Sequence, residues 1–328
     1  VKHAQRALFD DLNTAPTLRD VADAVRDAGL AGLPEARPRA DAARYQEVRV
    51  RTGLARSMGM PFKWALNPYR GCTHACEYCY ARKYQRHLEL GAGDDFSSLI
   101  LVKTNLPQVL ERELARPSWQ KEMVAVGTAT DPYQPIEGHY RITRRALQAL
   151  TAAGTPFSIV TKGPMVVRDA DVLGQASAAG CRVLMSIPTV DDIAWTRLEP
   201  GTAPPLKRLR AVRELRDAGI DAAVLMMPLV PGITTSRSSI ERTLSAIAEA
   251  GVAFAGAGVA RFDPGAREHF FAFLERTYPD LVNGYGRLYQ TTHAPAAYVQ
   301  AVKSVVDETR GRLGRPGVDG RRRAAAAP

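Results

Sequence analysis

From Phe62 onward the sequence alternates short apolar runs with longer amphipathic ones, and that alternation limits the fold more than any other feature. A short apolar run is stable only if both of its faces are covered, and the amphipathic segments between the runs are the covers. Apolar runs over residues 63–67, 99–104, 123–128, 157–161, 182–187 and 222–227 predict six strands. Segments 77–88, 106–115, 143–153, 170–179, 206–218 and 238–250 predict the helices. In segment 206–218 the residues Leu206, Leu209, Val212 and Leu215 predict a buried stripe, and Gly219 supplies the stop. Gly251 ends the next helix in the same way, and residues 252–259 predict a seventh strand or a buried connection. Repeated βα units form either an open doubly wound sheet or a barrel, and periodicity does not separate the two. In both, the residues just beyond the strands gather on one rim, which here collects 71–80, 128–137, 161–163, 186–189 and 228–234.

With 328 residues, 45% of them hydrophobic, the chain can form one large α/β domain or two ordinary ones. The longest apolar stretches, 222–233 and 251–260, fall short of the ~20 residues a membrane helix needs and are interrupted by Gly or Pro. No transmembrane helix is predicted. The opening Val1-Lys2-His3-Ala4 lacks the apolar core of a secretory leader, so a cytoplasmic location is expected. Residues 1–60, rich in Ala, Arg and Asp, predict a peripheral extension of one or two short helices and an irregular lead-in. The core is expected over 61–265, a helical C-terminal extension over 266–315 and a disordered basic tail over 316–328. The formal charge of +10 is concentrated at Lys207, Arg208, Arg210, Arg213 and Arg216 on one predicted helix, and at Arg310, Arg312, Arg315, Arg321, Arg322 and Arg323 near the end. A solvated helix face and a frayed end account for that pattern, and a nucleic-acid partner is the less favoured alternative.

Of the four cysteines, three stand at 72, 76 and 79 while Cys181 is far away, which is no disulfide framework. The stretch Tyr69-Arg70-Gly71-Cys72-Thr73-His74-Ala75-Cys76-Glu77-Tyr78-Cys79-Tyr80 contains C-x3-C-x2-C with an aromatic residue before the last cysteine. Three thiolates, soft and anionic, can hold three irons of a cubane and leave the fourth iron to an exogenous ligand. Gly71 removes a side chain where the backbone must pass close by. Three other readings stay open at this point: small buried thiols sharing one helical face, a redox dithiol, and a Cys3His zinc site using His74 or His87.

This stretch resembles the signature of the radical S-adenosylmethionine (SAM) superfamily, and the likeness is strongest to its spore photoproduct lyase-like branch, in particular the uncharacterised relatives outside the lyase itself. It covers roughly residues 62–298. Further stretches that carry it are Asn67-Pro68-Tyr69-Arg70-Gly71-Cys72, Arg116-Pro117-Ser118-Trp119, Gly127-Thr128-Ala129-Thr130-Asp131-Pro132-Tyr133-Gln134, Thr161-Lys162-Gly163, and Leu198-Glu199-Pro200 followed by Arg208. The resemblance implies an α/β fold of the partial (β/α)6 TIM-type barrel class. It also implies a 4Fe-4S cluster on Cys72, Cys76 and Cys79, with SAM completing it. Reduction by a low-potential donor, flavodoxin or ferredoxin, would then cleave SAM to a 5′-deoxyadenosyl radical that takes a hydrogen from the substrate.

By the same resemblance Tyr78 packs near adenine, and Lys162 and Ser186 contact SAM. The Lys162 ammonium would neutralise the methionine carboxylate, and the Ser186 hydroxyl would bond polar groups. Arg208, oriented by Glu199, would serve the same carboxylate, with an ordinary ion pair at a helix start as the alternative. Thr128, Thr130, Asp131, Tyr133 and Glu137, in a stretch interrupted by Pro132 and Pro135, are expected to line the cofactor and substrate cavity, Thr130 and Asp131 on the cofactor side. The alternative there is a proline-shaped turn with Asp131 as a local backbone acceptor. No pattern identifies the substrate. The lyase reaction requires a cysteine hydrogen donor, and Cys181, at the start of a predicted strand opposite the rim, is expected to be a buried core thiol. A DNA-lesion repair lyase is therefore a secondary reading, as is a non-catalytic zinc or nucleic-acid-binding module.

Overall fold

Val, Ile and Phe favour a pleated backbone that covers can bury, and strands form at the apolar runs that carry them. A computed structural model describes residues 15–28, 33, 37–38, 43–57, 60, 62–88 and 91–314. Its strands are β1 (Arg37–Pro38), β2 (Arg44–Val48), β3 (Leu54–Arg56), β4 (Trp64–Leu66), β5 (Tyr69–Arg70), β6 (Leu99–Lys103), β7 (Val124–Val126), β8 (Phe157–Thr161), β9 (Arg182–Ser186), β10 (Ala222–Leu229) and β11 (Ala253–Val259). The helices are α1 (Leu18–Ala28), α2 (Asp95–Ser98), α3 (Leu106–Leu114), α4 (Glu137–Tyr140), α5 (Ile142–Ala152), α6 (Ala170–Ala176), α7 (Asp192–Leu198), α8 (Pro205–Asp217), α9 (Arg237–Glu249), α10 (Ala266–Thr277), α11 (Val282–Leu288) and α12 (Ala296–Arg312).

The larger sheet runs β11-β10-β9-β8-β7-β4-β3. Every pair from β4 to β11 is parallel, and β3 adds an antiparallel edge beside β4. This is a partial (β/α)6 barrel, open between β11 and β3. In β8 the side chains of Phe157, Ile159 and Thr161 are buried while Ser158 and Val160 on the opposite face are partly exposed, so the sheet has one packed and one more open face. The packed face meets α3, α5, α6, α8 and α9 in one core that includes Leu110, Leu147, Leu173, Leu209 and Ile240.

Three expectations change. Residues 99–103 do form a strand, but β6 lies in a second, four-stranded sheet, parallel to β2 and antiparallel to β5. The sixth barrel strand is instead β11, whose sequence Ala-Phe-Ala-Gly-Ala-Gly-Val carries little β-branched signal. The described part of the lead-in is not all irregular, since β2 lies in the four-stranded sheet and β3 in the seven-stranded one. In α8 the stripe is Pro205, Arg208, Leu209, Val212 and Leu215, with Leu206 58% exposed and Arg208 fully buried. A spacing of three drifts off a face that turns every 3.6 residues. The basic face is therefore Lys207, Arg210 and Arg213, and Arg213 lies 3.9 Å from Asp217. Arg315, Arg321, Arg322 and Arg323, and with them the tail 316–328, lie outside the described residues.

Helix ends follow local chemistry. Ser236 caps α9 by accepting from Ser239 N at 3.2 Å, and Gly251 follows that helix with φ 65°. Beyond the barrel, α10 and α11 pack Phe270, Phe273 and Tyr285 against Phe262 and Tyr289 in a cluster that reaches Cys76 and Tyr78. Among the described residues no helix is long and apolar enough to cross a membrane.

Candidate active site

The residues between β5 and the 3-10 helix Tyr80–Leu88 do not continue as the helix expected from residue 77; they wind through turns, with Ala75 at φ 52°. Cys72 and Cys76 are each 6% exposed, Cys79 is half-buried, and all three thiols are free. The loop is held from every side. Arg82, buried beneath it, donates to the carbonyls of Ala75, Cys76, Ala92 and Gly93 at 2.8–3.3 Å. Gln134 accepts from Thr73 N at 3.1 Å and donates to Gly71 O at 3.3 Å, while Thr130 Oγ1 donates to Gly71 O at 2.6 Å. Gly71, at φ 80°, stands where a Cβ would lie 2.5 Å from Leu99 O. On the far side Gly201 N donates to His74 O at 3.1 Å, and Glu77 N donates to Leu198 O at 3.0 Å. Burial above all pushes the Cys76 thiol up to about 12, against the pull of Lys162, and burial followed by Asp131 raises Cys72 well above its ordinary value.

Tyr78 of this loop meets Lys162 from the end of β8, Glu199 from the end of α7 and Arg208 of α8. Lys162, just past β8, places its Nζ 5.6 Å from the centre of the Tyr78 ring and 3.9 Å from Glu199 Oε1. Tyr78 OH and Arg208 Nη2 both donate to Glu199 in short hydrogen bonds. Burial opposes the Glu199 charge, but Arg208 and Lys162 outweigh it and hold the carboxyl below its ordinary range. Burial likewise opposes the Lys162 charge, and Cys76 and Glu199 overcome it, so the ammonium titrates above the ordinary lysine value. At 3.9 Å the Lys162–Glu199 pair is a charge contact beyond hydrogen-bond length, which leaves the ammonium's donors for a ligand.

The other sequence candidates are placed differently. Arg208 gives further hydrogen bonds to Ala203 O, Ser186 O and Thr202 Oγ1 at 2.8–2.9 Å. Four of its five N–H groups are thus used inside the protein, two of them on Glu199 and on Thr202 beside it. Ser186 Oγ donates to Met227 O at 2.7 Å, which leaves that hydroxyl only as an acceptor. Asp131 accepts from Thr161 Oγ1, Lys162 N and Tyr133 N at 2.6–2.8 Å and faces His74 Nδ1 at 3.2 Å. Burial works against that charge, yet His74, Thr161 and the Lys162 amide hold it at about 2. The backbone-acceptor turn is what forms, and it ties two strand ends to the cysteine loop. Tyr133 and Glu137 are buried and paired inside the protein. Tyr133 OH donates to Asp169 at 3.0 Å, and buried Glu137 accepts from Tyr69 OH, Thr143 N and Arg168 Nη2. Sequence reading missed Arg82, Gln134, Gly201 and Asn67, the last accepting from Ala129 N at 2.7 Å. Of these, only Asn67 and Gln134 lie inside stretches that resemble the family.

The radical SAM superfamily model matches residues 66–247. The chain belongs to that family. An uncharacterized protein of Mycobacterium tuberculosis is 36% identical over 274 residues, covering 82% of this chain and 81% of its own. A radical SAM Nalpha-GlyT isomerase of Pseudomonas phage M6 is 28% identical over 169 residues, 51% of this chain and 33% of the isomerase. Among solved structures, a spore photoproduct lyase mutant with bound AdoMet and dinucleoside spore photoproduct shares the fold, with TM-score 0.65 and 17% identity over 85% of this chain and 84% of that one. This chain is a radical SAM enzyme, and the family implies a 4Fe-4S cluster and SAM. The residues present fit such a pair. Three free thiols share one fixed loop, an ammonium with spare donors stands beside them, and the Thr73 hydroxyl oxygen is buried without a partner among the described residues. For the zinc alternative, no three His, Cys, Asp or Glu side chains among the described residues close on one point, and His74 Nδ1 faces Asp131. The His87 side chain lies outside what is described.

Proposed function

We propose that Cys72, Cys76 and Cys79 hold a 4Fe-4S cluster completed by SAM, and that the enzyme abstracts a hydrogen atom from an organic substrate. The observation that carries this reading is the loop of three free, immobilised thiols beside the Lys162–Tyr78–Glu199 group. A cubane spreads its three thiolates over separate irons, so it needs no convergence on one point. When bound and reduced by an external donor such as flavodoxin or ferredoxin, the cluster supplies the electron that splits SAM into methionine and a 5′-deoxyadenosyl radical.

The chain's own residues bind and orient. Lys162 neutralises the methionine carboxylate, and Tyr78, its hydroxyl tied to Glu199, presents its ring to the adenine. Arg208 and Thr202 keep Glu199 ionised and in place. Ser186 serves SAM as an acceptor only, and Thr130 and Asp131 shape the rim instead of binding the cofactor. Cys181 is 2% exposed next to the N-terminal end of β9, where burial pushes its thiol up to about 12. That position, and the isomerase name of the phage relative, favour a reaction that does not use a cysteine donor over lesion repair.

The test is reductive cleavage. Anaerobically loaded protein given SAM and dithionite is expected to be brown and to release 5′-deoxyadenosine, and Cys76→Ala is expected to abolish both the colour and the product. A reducible, SAM-binding cluster that yields no 5′-deoxyadenosine would sink the proposal.

A further inference from the structure

Most hydroxyls around the rim have a partner. Thr130 donates to Gly71 O, Thr161 to Asp131, Ser186 to Met227 O, and Thr128 pairs with Asn67. Thr73, between Cys72 and His74, differs: its hydroxyl oxygen is buried and has no hydrogen-bond partner among the described residues. A buried hydroxyl forfeits its hydration, so one without a partner marks a place where a ligand group belongs. The backbone of the same turn is already engaged. Thr73 N donates to Gln134 Oε1 at 3.1 Å, and Thr73 O lies where a Cβ on Gly201 would come within 2.1 Å. Gln134 and Gly201 thus fix the turn from outside the loop, and the hydroxyl of the side chain next to Cys72 is left unpaired among the described residues.

We infer that the Thr73 hydroxyl donates a hydrogen bond to a sulfur of the cluster held by Cys72, Cys76 and Cys79, and so helps set its reduction potential. This rests on the function proposed above. A donor to a cluster sulfur stabilises the reduced, more negative form and raises the potential, and a threonine next to a ligand cysteine supplies one such donor on a rotatable bond.

Thr73→Val removes the donor at nearly constant volume, and Thr73→Ser retains it. The loaded proteins are compared without SAM by iron and sulfide content and by a redox titration followed by EPR. Equal iron content is expected, with a more negative potential in Thr73→Val and a wild-type potential in Thr73→Ser. Equal potentials in wild type and Thr73→Val overturn the assignment. So does a difference that arises only once SAM is bound, which gives the hydroxyl to SAM. Should Thr73→Val fail to retain iron, Thr73→Ala takes its place in the same comparison. A wild-type chain that takes up no iron and sulfide overturns the proposed function itself, whereas equal potentials in loaded proteins overturn only the role of Thr73.

Discussion

Lys103 ends β6 and donates from Nζ to Asn67 O at 2.7 Å. Burial, and then Arg70, draw its ammonium down from 10.5 to about 7. Unfolding restores the ordinary value, so between about pH 7 and 10.5 the unfolded chain binds more protons than the folded one. Stability from this group therefore increases as pH rises through that window and is at its lowest, and constant, below it. The urea midpoint is expected to climb more steeply above pH 7 in wild type than in Lys103→Met; parallel curves would show that the ammonium is not perturbed. Side chains like this one are legible in the sequence only as residue types. Lys162 and Tyr78 could be picked out because they sit inside recognisable stretches. Arg82 could not, because its bonds go to backbone carbonyls that carry no sequence signal. Arg208 could be found but not understood, since only packing shows that its guanidinium is turned inward.

Among the elements, the contact of the loop after α7 with the cysteine loop is the tightest approach at the site. A side chain at Gly201 would drive into Thr73 O and the His74 backbone, 2.1 and 3.0 Å from its Cβ, and neither is the flexible end of a side chain. Gly201→Val is expected to lower iron content after reconstitution at least several-fold while lowering the unfolding free energy, read from urea denaturation, by about 1–3 kcal/mol, the range for overpacking. Full iron loading in that variant would show that the cysteine loop does not depend on α7. Element identity was largely readable, because β8, β9 and β10 and the helices α3, α5, α8 and α9 coincide with their apolar patterns. Sheet membership was not. A run such as Leu-Ile-Leu-Val-Lys at β6 reads alike in a barrel or in a side sheet, and only its pairing with β2 and β5 tells them apart.

At the scale of the molecule, the open barrel is braced on its β11 side by the C-terminal helices. α12 lies against α9 and β11 and buries Val302 and Val306. Burying a valine contributes about 1.5–3 kcal/mol, so a chain ending at Pro295 is expected to lose about 3 kcal/mol or more of unfolding free energy, read from urea denaturation. A truncated chain as stable as the full one would make α12 an appendage. The aromatic cluster of α10 and α11 reaches Cys76 and Tyr78, so the packing beyond the barrel also backs the cysteine loop.

Local chemistry in the sequence was enough to determine the alternating βα pattern, the three-thiol loop and its kinship, because periodicity and ligand spacing are properties of neighbouring residues. Which strand became the sixth of the barrel, that Arg208 serves Glu199, that Asp131 serves the backbone, and that the Thr73 hydroxyl is left unpaired were decided only by tertiary structure. The physical reason is distance along the chain: Tyr78 and Glu199 are 121 residues apart, and Thr73 and Gln134 are 61 apart. A buried polar group's role depends on which partner the fold brings within hydrogen-bond reach.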